Sequence, residues 1–270
     1  MKANTAIGIG AGIGCLLLGV ILEGGNPMGL VGIPAFVIVV GGTGCATFAS
    51  TTLEQMKRVP VLYKKAFRGN DIDAHAAIQR MVKLAEKARR DGLLALEDDL
   101  AAVDDQFTRK GVQLVIDGTD SDLLHSILES EIDGMAERHA SNTHVFATAG
   151  GFAPTLGIIG TVLSLVHVLS NLSNPSNLGH SIAGAFIATL YGVGSANIVF
   201  LPVSNKLKEL AAEELSFRQM QLEAILSIQA GDNPRVLAEK LEAFLPPAER
   251  VDRAAAAEPA EEHPEIREAA

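Results

Sequence analysis

The sequence predicts an all-α polytopic membrane protein with four transmembrane helices and a helical domain inserted between the second and third. Three observations predict it. Four long runs carry no Asp, Glu, Lys or Arg; the charge is concentrated between and after them; and the charged segments show helical periodicity with no alternating strand pattern. Over the chain 48% of residues are hydrophobic and 20% charged, but that average hides a sharp segregation, which separates a membrane protein from a globular one.

The uncharged runs cover residues 5–22, 28–52, 145–172 and 182–203. About 20 apolar residues at ~1.5 Å each cross a hydrocarbon core of roughly 30 Å, so all four suffice. A backbone in lipid must satisfy its own hydrogen bonds, which makes each run a helix. The first run follows Lys2, as a signal peptide would. No small-residue cleavage site follows it, and Leu22-Glu23-Gly24-Gly25-Asn26-Pro27 reads as a tight turn into the next span. It is expected to be a retained helix. The first and third connections contain no Lys or Arg, whereas the second contains thirteen, including Lys57, Arg58, Lys64, Lys65 and Arg68. Lys206 and Lys208 follow the fourth span. Basic flanks stay inside, so both termini and the middle domain are expected in the cytoplasm, with the two short loops outside.

Outside the spans, Ala74, Ile78, Met81, Val82, Leu84, Ala85 and Ala88 recur at helical spacing, which predicts an amphipathic helix over 71–90. Gly92 interrupts it, and 93–107 is expected as a second helix. Asp117-Gly118-Thr119-Asp120 signals a turn, with Asp120 or Ser121 capping a helix that runs to about His139. Residues 205–230 read as another amphipathic helix, and Pro246-Pro247 closes the ordered part. The expected segments are a transmembrane hairpin (1–52), a helical cytoplasmic domain (53–144), a second transmembrane hairpin (145–203), a cytoplasmic C-terminal helix (204–247) and an acidic disordered tail (248–270). The formal net charge of −10 comes mostly from the region after Pro202, with eight basic and fourteen acidic residues. No basic run is dense enough for nucleic acid. Cys15 and Cys45 lie in apolar runs and are expected as packing residues.

The spans are most informative for what they lack. Intramembrane charges mark ion paths and proton relays. A chain with none either carries no ion or takes its acid from another protein. The third span holds Pro154, Thr161, Ser164 and His167. Pro154 and Thr161 share a face, with Ser164 one turn further, and His167 suits packing or the outer interface. The fourth span holds Ala185, Thr189, Gly192 and Ala196, a stripe of small residues that permits close helix approach. Each feature also has an ordinary reading: a threonine bonded to its own preceding turn, a proline as a simple kink. Together, two small hydroxyl-bearing faces without charge suggest a surface that receives another helix. Gly8, Gly10, Gly12 and Gly14 read as a small-residue helix face, since no strand precedes them.

Four motifs resemble one known family. Ala185-Phe186-Ile187-Ala188-Thr189-Leu190-Tyr191-Gly192, followed by Pro202, resembles the signature of MotA/PomA flagellar stator subunits, within the MotA/TolQ/ExbB superfamily. The segments 151–162, 88–97 and 111–120 are similar to that family's third span and cytoplasmic charged region, in the same order. The resemblance spans residue 1 to about 245, and the tail beyond Pro247 has no counterpart. It implies five such subunits around a dimer of a MotB-like partner, whose membrane aspartate supplies the missing acid, and a cytoplasmic domain that pushes on the rotor protein FliG. Carried over, Pro154 and Pro202 match the family's functional prolines, Thr161 and Thr189 match ion-path positions, and Arg89, Arg90 and Glu97 match rotor-facing charges. Without the resemblance, those charges read as a solvated face. The expected ion is a proton, with sodium left open because a Thr161 hydroxyl could replace part of a cation's hydration shell. No cofactor is expected. A TolQ/ExbB-like energy transducer is the nearest alternative, but it would have three spans. A secondary transporter would need internal repeats and an intramembrane ionisable group. No phosphate loop, metal-ligand cluster or nucleophile–base pair suggests an enzyme.

Overall fold

The computed structural model describes residues 4–170 and 178–250. Lys2, most of the third connection and the acidic tail from residue 251 onward therefore lie outside the described residues. All regular elements among the described residues are helical, and four helices are long and apolar enough to cross a membrane. Contacts divide the chain into one unit of residues 1–72 with 129–216 and a second of 73–128 with 217–270.

In the first unit, α1 (Asn4–Leu22) ends at a turn through Gly24, whose φ of +76° suits glycine. The Asn26 side chain then accepts the Met28 N–H at 2.9 Å and starts a single 3-10 turn, Pro27–Leu30. The second span was expected from residue 28, but its helix begins only at Ile33, because Val31 and Gly32 are extended. From there α2 (Ile33–Phe36), a π turn (Val37–Gly41) and α3 (Gly42–Ser50) form one rod. Thr52 opens α4 (Leu53–Arg68) with a reciprocal capping box: the Gln55 backbone N–H donates to the Thr52 hydroxyl and the Thr52 N–H donates to the Gln55 side-chain Oε1. α4 buries Leu62 and Ala66 against Phe146, Val203 and Leu207, with the Tyr63 ring edge-on to Phe146 at 4.9 Å. On the same helix Lys65 pairs with Glu214 at 3.0 Å, and His139 Nε2 lies 3.4 Å from the same carboxylate oxygen. Burial lowers the His139 pKa, opposed by Glu214 and aided by Lys65 and Arg138.

The spans expose much of their apolar surface within one chain: Leu18 and Ile21 on α1, Ile158 and Val166 on the third span, Phe186 on the fourth. Surface of this kind belongs against lipid or other membrane helices. Cys15 and Cys45, expected as packing residues, are free and exposed instead; their helices pack through other faces.

In the second unit, Asp73 caps α5 (Ala74–Asp91) by accepting the Ala76 N–H at 2.9 Å. Gly92, with φ +89°, ends it. The helix expected over 93–107 does not form. A 3-10 turn (Leu93–Leu96) and one turn of α6 (Glu97–Leu100) are followed by a break. The cause is Asp105, which accepts from both the N–H and the hydroxyl of Thr108, each at 2.9 Å, and so starts α7 (Gln106–Ile116) afresh. Asp105 also pairs with Arg218 at 2.5 Å and accepts from the buried Gln221 amide at 3.1 Å, joining α7 to the C-terminal helices.

That network supports a stability prediction. Burial pushes the Asp105 carboxyl up, but the Arg218 guanidinium and the Thr108 donors outweigh it and leave it below the usual carboxylate range. A depressed acid contributes fully above the unfolded pKa of about 3.9 and loses its contribution as pH falls through the folded value. Asp105→Ala removes a helix cap and strands a mostly buried guanidinium, at a cost of about 2–3 kcal/mol. Thermal unfolding of the detergent-solubilised chain checks this: the variant melts lower at neutral pH, and the gap narrows in acid.

Two long helices serve both units. α8 (Ser121–Ser170) does not stop near His139 as expected; it continues without interruption through the third span, past Pro154. Likewise α9 (Leu178–Gly194), a π turn (Ser195–Phe200) and α10 (Leu201–Ala230) follow one another directly. A further helix, α11 (Pro234–Glu242), was not anticipated. Its signals are ordinary: Gly231 at φ +74° ends α10, Asn233 caps by accepting from Arg235, and Pro234 occupies the first turn. It buries Leu237, Ala238 and Leu241.

Candidate ion-path site

The site begins with two glycines. Gly157 on α8 and Gly192 on α9 face each other so closely that a Cβ on Gly192 would lie 2.5 Å from the Ala153 carbonyl oxygen and 2.8 Å from the Gly157 Cα. A Cβ on Gly157 would meet the Ala188 carbonyl oxygen at 3.0 Å. Ala153, Ala185, Ala188 and Ala196 are fully or almost fully buried, completing the small-residue stripe.

This approach brings the two threonines together. Thr161 Oγ1 and Thr189 Oγ1 are 2.5 Å apart. The Thr161 oxygen is also 3.0 Å from the Gly157 carbonyl in its own helix and 3.0 Å from the Ala185 carbonyl across the interface. A hydroxyl has one proton to give, and carbonyls only accept. Thr161 can therefore donate to only one of these three oxygens, and either hydroxyl can be the donor in the threonine pair. The result is a half-buried cluster of two hydroxyls and two carbonyls that bears no charge. Such oxygens can relay a proton between waters or ligate a hard cation. They cannot hold a proton as a carboxylate does.

Pro154 lies two turns before Thr161 on α8. Pro202 is 13 residues beyond Thr189, about 20 Å along the helix, and lines a cleft with Thr5, Gly8 and Gly12 of α1. The prolines thus do not converge on the threonines. The π turn directly precedes Pro202, where the ladder lacks a donor. Nearby carbonyls receive side-chain bonds, Gly192 from Ser195 at 3.2 Å and Val193 from Asn197 at 2.9 Å. Ser164 and His167 line a separate cavity of about 360 Å³ with Pro34 and Ile38 of the second span.

The charged candidates lie at the junction after α5. Arg89, Arg90 and Glu97 are all exposed. Arg90 grips Asp91 with two bonds of 2.9 and 2.8 Å, and the pair's hydrogen bonding raises the arginine pKa and lowers the aspartate's. Sequence reasoning did not find the Lys87–Asp99 pair at 2.9 Å, which ties α5 to α6 across the Gly92 turn. Nor did it find that Tyr191 reaches the second span. The signal for Tyr191 was an aromatic hydroxyl in the uncharged fourth span.

Four membrane-length helices, two of them meeting over an uncharged hydroxyl pair, define a polytopic helical membrane protein. The family profile of the MotA/TolQ/ExbB proton channel family matches residues 99–220. Motility protein A of Borreliella burgdorferi is 39% identical over 253 residues, covering 93% of this chain and 96% of that one. The solved flagellar MotAB stator complex from Bacillus subtilis contains a chain that is 34% identical, with a TM-score of 0.86 over 94% of this chain and 98% of that one. A chain of the solved C. jejuni MotAB is 30% identical, with a TM-score of 0.87 over 91% and 96%. This chain belongs to the MotA/TolQ/ExbB proton channel family.

Proposed function

We propose that this chain is the ring subunit of a flagellar stator, which conducts ions together with a MotB-like partner and converts the flow into torque on the rotor. The observation that carries this reading is the Thr161–Thr189 contact in spans free of Asp, Glu, Lys and Arg. The oxygens can pass an ion, and the partner's membrane aspartate supplies the carboxylate. The stator-complex likeness of the matched chains supports the same reading. Five copies surround the partner in the inner membrane, both termini stay in the cytoplasm, and membrane lipid covers the outer apolar faces. The transported ion is a proton, and sodium is the alternative that the hydroxyl pair also suits. The exposed Arg89, Arg90 and Glu97 face FliG. Exposed charges make weak, salt-sensitive contacts that form and break easily, as a stepping interface requires.

The TolQ/ExbB-like alternative lacks a hairpin equivalent to α1–α3. One experiment separates the two readings and tests the rotor face. A motile host without this gene keeps its filaments but does not swim, and the wild-type gene with its partner restores swimming. The double reversal Arg90→Glu with Glu97→Lys lowers torque at least severalfold in tethered cells without lowering the amount of membrane-inserted chain. Unchanged swimming in the deletion strain contradicts the stator reading. Unchanged torque in the reversal contradicts the rotor contact.

A further inference from the structure

The second span starts late, and one side chain bonds two backbone groups of its non-helical start. Gly32 stands beside Ile187, whose Cγ2 would be 3.2 Å from a Cβ placed there. Ile187 is nine residues into α9, so Gly32 sits about 14 Å along that helix from its outer end. At that level the backbone is not helical: Val31 has φ −84° and ψ 99°, Gly32 φ −115° and ψ 101°. Lipid offers no hydrogen bonds, and each unmatched backbone group at membrane depth costs several kcal/mol. The Val31 N–H donates to the Met28 carbonyl and the Gly32 carbonyl accepts from Phe36, both within the segment. The Leu30 carbonyl and the Gly32 N–H face outward. Both go to one side chain: the Tyr191 hydroxyl donates to the Leu30 carbonyl at 2.6 Å and accepts the Gly32 N–H at 3.2 Å.

The ring that carries this hydroxyl is itself fixed. It meets Phe36 edge-on at 6.5 Å and packs with Ile187 on the buried Ala35, Val39 and Ala188. The same helix turns inward to Thr189 and Gly192, two residues before Tyr191 and one after. Rotation or sliding of α9 that displaces Thr189 from Thr161 must break the bonds to Leu30 and Gly32.

We infer that Tyr191 is a positioning residue: its hydroxyl tethers the non-helical start of the second span to α9 and thereby holds Thr189 against Thr161. Its role in ion passage rests on the stator reading; the tether itself does not. Hydrogen exchange of the full chain with its partner in lipid nanodiscs tests the tether. In the wild type the Gly32 amide exchanges more slowly than the same amide in an unstructured peptide, and Tyr191→Phe lowers that protection about tenfold. Phe36→Leu, which keeps the hydroxyl, leaves it in place. In motors, Tyr191→Phe shifts the ion activity for half-maximal speed at least about threefold with the number of engaged stators unchanged, and Phe36→Leu does not.

A wild-type Gly32 amide that exchanges as fast as in an unstructured peptide, which needs no variant, overturns the tether, as does a Tyr191→Phe protein with wild-type exchange. Lost protection with an unmoved ion dependence reduces Tyr191 to a packing residue and overturns the positioning role. Lost protection in a chain that never supports swimming upholds the tether and sinks the stator reading instead.

Discussion

Gly192→Ala stops the motor while the chain still inserts into the membrane. The added methyl has nowhere to go: its nearest neighbours are the Ala153 carbonyl oxygen at 2.5 Å and the Gly157 Cα and N at 2.8 and 3.1 Å, all backbone atoms. A flexible side chain could swing away, but helix backbone cannot, so α8 and α9 must separate. Overpacking of this kind costs about 1–3 kcal/mol, and here it is concentrated on one contact. A separation of a few tenths of an ångström to an ångström also opens the 2.5 Å Thr161–Thr189 contact on the same interface. The expected result is at least a tenfold fall in single-unit torque. Gly194→Ala is the matched control, because a Cβ there meets nothing within 4 Å. It has the same chemistry, two residues away, and swimming persists. Membrane fractionation with a motility assay reads both variants together.

Thr189→Val and Thr161→Val have the next largest effect. Valine keeps the shape and β-branch of threonine and removes the hydroxyl alone. Thr161 lies within bonding distance of a carbonyl of its own helix and of the Ala185 carbonyl of α9, whereas Thr189 is its hydroxyl partner. Losing either hydroxyl breaks the shared bond, so the two variants should be strongly non-additive. Each single change is expected to cut speed about tenfold, and the double change little more. Strict additivity would mean that the two hydroxyls act at separate places, against the 2.5 Å contact.

The apolar runs and basic flanks were enough to read four spans, because transfer into lipid dominates every other local preference. The small-residue stripe also read correctly as a close helix contact. The sequence put Thr161 and Thr189 on two small, hydroxyl-bearing faces that read as a surface for another helix; that they bond each other depends on how tightly Gly157 and Gly192 approach, which no spacing rule states. Other features were hidden for identifiable reasons. The helix expected to end near His139 continues to Ser170 because Ala140–His144 contains polar residues but no breaker, and its pattern changes only because its surroundings do. The break at 101–105 is made by Asp105, whose cap and partner Arg218 are 113 positions apart. The late start of the second span was invisible in hydropathy, since an extended apolar segment and a helical one score alike. Its compensation by Tyr191 spans 161 positions, from Leu30. The π turns at Val37–Gly41 and Ser195–Phe200 leave no local signature beyond the proline that follows the second.

The account turns on the uncharged hydroxyl pair needing a carboxylate from a second chain. Ion flux into sealed vesicles tests this most directly, with this chain reconstituted alone, with its MotB-like partner, and with a partner whose membrane aspartate is changed to asparagine. The account predicts flux only with the intact partner, carried by protons in sodium-free buffer, and at least a tenfold loss when Thr189→Val is combined with that partner. Equal flux from this chain alone would contradict it, because an ion would then be crossing spans that hold no acid.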